Sequence, residues 1–253
     1  MQEILVKVNQ IELQIREYER EGAVIIFLHF SGANLMMWQR IIPDFQGSYR
    51  LILVDLRGHG KSDQPETGYH IDEMARDVIG IMQHLELEHA HLVGSSLGAE
   101  VGLSLAANYP EKVISLVCED ALSSEYGPYS TWEGSGTDFE KHVVSQLEMM
   151  RNAPETVYPS VDALVEARRI VFEKYVGWNR YFETVERYGA SKIDEEKYTK
   201  SFGKLAIRGS NLLQPAAPIF SAACPCRHIR LSPPSPLRAM RLIGSLAVAP
   251  TMQ

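Results

Sequence analysis

The order of apolar runs in this chain predicts an α/β protein built on a mostly parallel, doubly wound sheet. Residues 23–30 and 49–55 are nearly continuous apolar runs, the pattern of strands buried on both faces. Residues 70–87 then carry apolar side chains at helical spacing, and residues 89–93 form a third run that reads as a buried strand. That third run leads through Gly94-Ser95-Ser96-Leu97-Gly98 into a helical stretch at residues 99–108. Strand, crossover, strand, helix, strand is the grammar of a parallel α/β sheet.

The elements follow in order. The run at 23–30 ends in His29-Phe30-Ser31-Gly32, and the run at 49–55 opens into Asp55-Leu56-Arg57-Gly58-His59-Gly60-Lys61-Ser62. In Gly94-Ser95-Ser96-Leu97-Gly98, a serine on a sharp strand-to-helix turn is driven toward positive φ, so its hydroxyl stands above the sheet. The residues two before and two after must then be nearly free of side chain, and both are glycine. Residues 113–118 read as the next strand and deliver Glu119 and Asp120 at its end.

These three motifs, in this order and spacing, resemble the α/β-hydrolase superfamily in its serine hydrolase branch, over residues 22 to about 122. The resemblance implies an α/β-hydrolase fold: an eight-stranded, mostly parallel sheet, with residues 6–8 and Ile11–Tyr18 as its first antiparallel pair and a helical cap between strands six and seven. It assigns residues 1–121 to the N-terminal part of the core, 122–200 to the cap and 201–253 to a C-terminal core remnant whose closing strands and helix are expected to be incomplete. It implies Ser96 as nucleophile, with the backbone N–H groups of Leu97 and Ser31 forming an oxyanion hole. Phe30 stands where the family usually has the first glycine of that loop. The activity implied is carboxylesterase- or lactonase-like: cleavage of a small to medium apolar ester or related carbonyl substrate through an acyl-enzyme, without a cofactor.

A serine hydroxyl needs a base to take its proton and an acid to orient that base, arriving in the order Ser, acid, His. Eight histidines are present, and the family's Gly-His pair does not occur after His59. His228 is the candidate base by position, although residues 226–231 read as a strand. Residues 204–209 read as strand seven, but Ser210-Asn211-Leu212-Leu213 follows, with no carboxylate. Asp120, at the end of strand six, is the candidate acid.

The tail has its own composition. All 32 acidic residues lie in residues 1–196, whereas residues 197–253 hold 8 Lys and Arg, no Asp or Glu, and seven of the 13 prolines. Native sequence lost after about residue 205 to 232 is one explanation. A catalytically impaired or truncated hydrolase that binds ligands is the alternative reading of function.

Residues 138–151, 160–175 and 179–188 are amphipathic, and the cap region is rich in aromatic side chains. Trp132 and Trp178 are expected to line an apolar substrate pocket, with Phe30, Met37 and Trp38 facing it from the oxyanion loop. Arg168 and Arg169 are candidates for an acidic group or for a solvated helix face. A net charge of −7 opposes nucleic acid or an anionic membrane as partner, and Cys224-Pro225-Cys226 lacks metal-ligand spacing. The expected partner is a small molecule, with no metal; oligomeric state is left open. The chain shows no leader or spanning segment, which makes cytoplasm the expectation.

Overall fold

A computed structural model describes residues 1–119, 133–175, 177–200 and 229–232. The sheet is built outward from β3 (Val24–Leu28), which pairs in parallel with β4 (Arg50–Val54) on one side and with β5 (Ala90–Ser95) on the other. β1 (Gln2–Val8) and β2 (Ile11–Tyr18) form the leading antiparallel hairpin, and β2 runs antiparallel to β4. β6 (Val113–Glu119) lies parallel to β5, and β9 (Ile229–Ser232) parallel to β6. The order β1-β2-β4-β3-β5-β6-β9 is the doubly wound arrangement expected, with seven strands among the described residues.

Side chains alternate between two cores, as strand geometry dictates. Val24, Ile26 and Leu28 of β3, with Ile52 and Val54 of β4, face helices α2 (Ile71–His84) and α3 (Leu97–Asn108). Ile25, Phe27, Leu51 and Leu53 face the other side, under a 3-10 segment (Leu35–Arg40) and the single turn α1 (Ile42–Phe45). α2 starts where the His70 side chain accepts the Asp72 N–H, and Asp72 and Glu73 sit favourably in its first turn. α3 is apolar nearly all round because the sheet and α2 cover it from both sides.

The loop after β4 is tied down by a buried ion pair. Arg57 donates from Nε and Nη2 to the Asp77 carboxylate of α2, at 2.6 Å each, and from Nη1 to the Gly68 carbonyl. The paired geometry and the third bond offset the cost of burying both charges.

The three amphipathic stretches of the expected cap region, called the cap below, are helical: α4 (Gly136–Asn152), α5 (Val161–Tyr175) and α6 (Arg180–Tyr188). Residues 190–200 differ from the helical expectation. They form an antiparallel hairpin of β7 (Ala190–Asp194) and β8 (Lys197–Lys200). The hairpin is half-buried to exposed and has no buried apolar stripe, so its sequence lacks the alternation that would have announced strands. No helix among the described residues is long and apolar enough to cross a membrane.

Candidate active site

The turn between β5 and α3 has the geometry its glycines demand. Ser96 sits at φ 46°, ψ −114°, a strained conformation for a residue with a side chain. Close packing holds it there. A Cβ on Gly94 would lie 2.4 Å from the backbone of Gly98, and a Cβ on Gly98 would lie 2.1 Å from the Leu28 carbonyl oxygen. The Ser96 N–H donates to the Glu119 carbonyl at 2.8 Å, which fastens the turn to the end of β6. The Ser96 carbonyl accepts from Ala99 and Glu100, and Ser96 is half-buried at the N-terminus of α3. Leu97 is the first residue of α3, so its N–H belongs to the opening turn, which has no preceding helical carbonyl to donate to.

The loop that follows β3 rises beside this turn. Ser31 and Gly32 form its tip, closed by an Ala33 N–H to Phe30 carbonyl bond at 3.1 Å, with Gly32 at φ 84°. His29 lies fully buried beneath. Its Nδ1 donates to the Phe30 carbonyl at 2.8 Å while its Nε2 accepts the Leu56 N–H at 3.0 Å. Both ring nitrogens are thereby used and the neutral Nδ1–H form is fixed, so His29 braces the loop. Burial, with His59 alongside, holds its pKa well below the ordinary histidine value. His59 packs edge-to-face on His29 at 4.9 Å, and burial lowers its pKa to about 4.

Asp55, at the end of β4, joins three segments. Its carboxylate accepts the Leu35 N–H at 2.7 Å, the Lys61 N–H at 2.9 Å and the Tyr188 hydroxyl at 3.1 Å. Burial raises its pKa to about 6 against the pull of these donors. Gly60 is glycine for a local reason: at φ 55°, a Cβ there would lie 2.1 Å from Asp55 Oδ2. Tyr188 brings in the cap, and a second bond ties it to the 29–34 loop: Asn34 Nδ2 donates to the Val185 carbonyl at 2.8 Å.

Beside that junction lies a charged cluster. Glu186 of α6, 2% exposed, accepts from Lys200 Nζ at 3.0 Å and faces Arg168 Nε at 3.3 Å. Burial lowers the Lys200 pKa, and its charge in turn pushes those of His29 and His59 down.

The expected site residues separate into three groups. Ser96, Leu97, Phe30 and Ser31 come from the elbow and the neighbouring loop, which pack through β3 and β5. Met37 is half-buried against the core, and Trp178 stacks with Phe182 and Phe172 in the cap. Trp38 corrects the expectation. It is 4% exposed, with its ring 5.3 Å from Phe27, so it packs into the core beneath the sheet. Asp120, Trp132 and His228 lie outside the described residues. The described strand after His228, β9, runs parallel to β6 and brings Ser232 level with Glu119, the residue that holds the elbow. Among the described histidines, His91 bonds Ser115 Oγ at 2.7 Å and His70 caps α2. None of those described is hydrogen-bonded to Ser96. The described residues contain no group of three or more His, Cys, Asp or Glu arranged to hold a metal ion.

Tyr188, Asp55 and the Glu186 cluster were not anticipated as parts of one site. Asp55 was visible in its glycine-rich segment, but its partner Tyr188 is 133 residues away and carries no local signal.

Comparison with known proteins agrees with this architecture. The chain is 33% identical over 159 residues to 2-(acetamidomethylene)succinate hydrolase of Mesorhizobium japonicum, covering 63% of this chain and 52% of that protein. It is 36% identical over 115 residues to 3-oxoadipate enol-lactonase 2 of Acinetobacter baylyi, covering 46% and 43%. The chain thus spans about half the length of these relatives. Among solved structures, E-2-(acetamidomethylene)succinate hydrolase superposes with a TM-score of 0.69 at 22% identity, over 98% of this chain and 99% of that one, a likeness of fold. A model of the alpha/beta hydrolase fold family matches residues 23–207, most of the chain, and the protein belongs to that family.

Proposed function

We propose that this protein is a serine hydrolase that cleaves a small to medium ester, lactone or related carbonyl compound with an apolar body. The observation that carries the reading is Ser96, held at φ 46° between two glycines that admit no Cβ. The relatives named as a hydrolase and an enol-lactonase support carbonyl hydrolysis. A serine at the elbow argues against the alkyl-enzyme chemistry of dehalogenases, which uses a carboxylate nucleophile.

In this reading Ser96 Oγ gives its proton to a histidine base and attacks the carbonyl carbon. The tetrahedral oxyanion is held by the N–H groups of Leu97 and Ser31, one such donor being worth about 3 kcal/mol of barrier. The leaving alcohol takes the proton back, and water releases the acyl group by the same steps. Asp120 and His228 are the proposed acid and base. The aromatic stack of Phe172, Trp178 and Phe182 is the proposed apolar wall on the cap side.

The second reading, an impaired hydrolase that binds ligands, is favoured by two observations: no Gly-His pair follows His59, and no Asp or Glu follows residue 196. Intact mass after exposure to a fluorophosphonate separates the two. A single adduct on the native protein, absent from Ser96→Ala, is the expected result. Well-folded protein that takes no adduct would make the ligand-binding reading the correct one.

A further inference from the structure

We infer that Arg168 and Lys200 form an anchoring site for a carboxylate on the ligand, remote from the bond that Ser96 would cleave. The inference rests on the proposed substrate pocket and names the class of compound that fills it.

Charge balance at one buried point starts the argument. Glu186 is 2% exposed and has two cationic partners, Lys200 Nζ at 3.0 Å and Arg168 Nε at 3.3 Å. Among the described residues neither cation has another acidic partner, so the cluster carries one positive charge more than it neutralises. The contrast with the adjacent Arg169 is direct: it faces solvent and is satisfied by both Glu166 and Glu173. A surplus positive charge in a partly dehydrated setting costs free energy unless an anion joins it. A guanidinium with Nη groups unclaimed by a second carboxylate presents a planar fork suited to one.

Placement does the rest. Lys200 ends β8, and its Nζ reaches Glu186 of α6 at 3.0 Å. Glu186 adjoins Val185, whose carbonyl Asn34 binds, and lies two residues before Tyr188, which binds Asp55. Arg168 lies over the Phe172 ring at 4.9 Å, next to the aromatic stack with Trp178 and Phe182. One wall therefore offers an apolar surface with a cationic end, beside the oxyanion loop. A compound with an apolar or unsaturated middle and a terminal carboxylate matches both parts.

The test uses the full chain carrying Ser96→Ala, titrated calorimetrically with glutarate and with its uncharged counterpart glutaramide. Glutarate binding at least about tenfold tighter, with the preference lost in Arg168→Gln, is the expected result. Glu186→Gln supplies a sign that damaged folding cannot mimic: removing the internal competitor raises glutarate affinity. Equal affinity for the two compounds overturns the inference, and so does a Glu186→Gln variant that folds and binds glutarate no more tightly. Because the Ser96→Ala background has no nucleophile, this outcome is independent of fluorophosphonate labelling. Retained preference without labelling of the native protein would sink the hydrolase reading alone.

Discussion

The core and the cap of this molecule handle charge in opposite ways. In the core, through residue 119, Asp55, Arg57 and Asp77 are buried and each is held by several specific partners. Among the described residues of the cap region, half of the ion pairs lie along helix surfaces at i,i+3 or i,i+4, as between Arg169 and Glu166 or between Arg187 and Glu183. Buried pairs fix geometry because losing one partner strands the other, whereas exposed pairs contribute little. The buried pairs of the core thus fix the loops around the elbow, while the exposed helix pairs of the cap region contribute little to stability. The Glu186 cluster is the exception within the cap, and it sits against the core.

Breaking the core side should give the largest effect. Gly98→Ala sets a methyl against the Leu28 carbonyl at 2.1 Å, where only backbone movement relieves the clash. Expected is loss of the cooperative unfolding transition, or a lowering of stability by about 3 kcal/mol or more, read by urea denaturation. An unchanged midpoint would mean that the elbow is looser than the close β3–α3 approach requires.

The next effect is a pH dependence located in the core. Folded His59 resists protonation down to about pH 4, against an ordinary value of 6.5. Its stabilising contribution is therefore fully present above pH 6.5 and is lost as pH falls through about 4. Asp55 runs the other way. Its raised pKa of about 6 gives stability that is present below its ordinary 3.8 and lost as pH rises through about 6. Comparing wild type with His59→Asn isolates the histidine. The variant should escape up to about 3 kcal/mol of the destabilisation that acid imposes between pH 6.5 and 4. Parallel stability curves for the two proteins would show that His59 does not titrate as a buried neutral group.

The cap should give the smallest effects. Asn179 accepts the Tyr181 and Phe182 N–H groups at the start of α6, so Asn179→Ala should cost about 1 kcal/mol. Arg169→Ala should leave the thermal midpoint unchanged despite its two carboxylate partners. A large loss from Arg169→Ala would erase the contrast between core and cap.

The same contrast explains what could be read in the sequence. The core strands announced themselves because residues such as Ile25, Phe27, Leu51 and Leu53 alternate across a sheet buried on both faces. The elbow was legible because its glycines are dictated by backbone contact. The three cap helices were legible from their amphipathic spacing. The β7–β8 hairpin was not, because residues such as Lys192, Asp194 and Lys197 face solvent and no buried stripe marks the strands. Trp38 was misplaced for a related reason: composition marks an aromatic residue as apolar but does not say whether it packs on Phe27 or on a ligand. Tyr188 with Asp55, and Glu186 with Lys200, are meetings of distant segments that no local period encodes.

The two bonds between α6 and the core, Asn34 to Val185 and Tyr188 to Asp55, also decide what kind of door the cap can be. With α6 pinned at its C-terminal end to the same loop that carries Ser31, that helix is the doorpost. A displacement of α6 is therefore carried straight to the loop that holds Ser31 and to the end of β4.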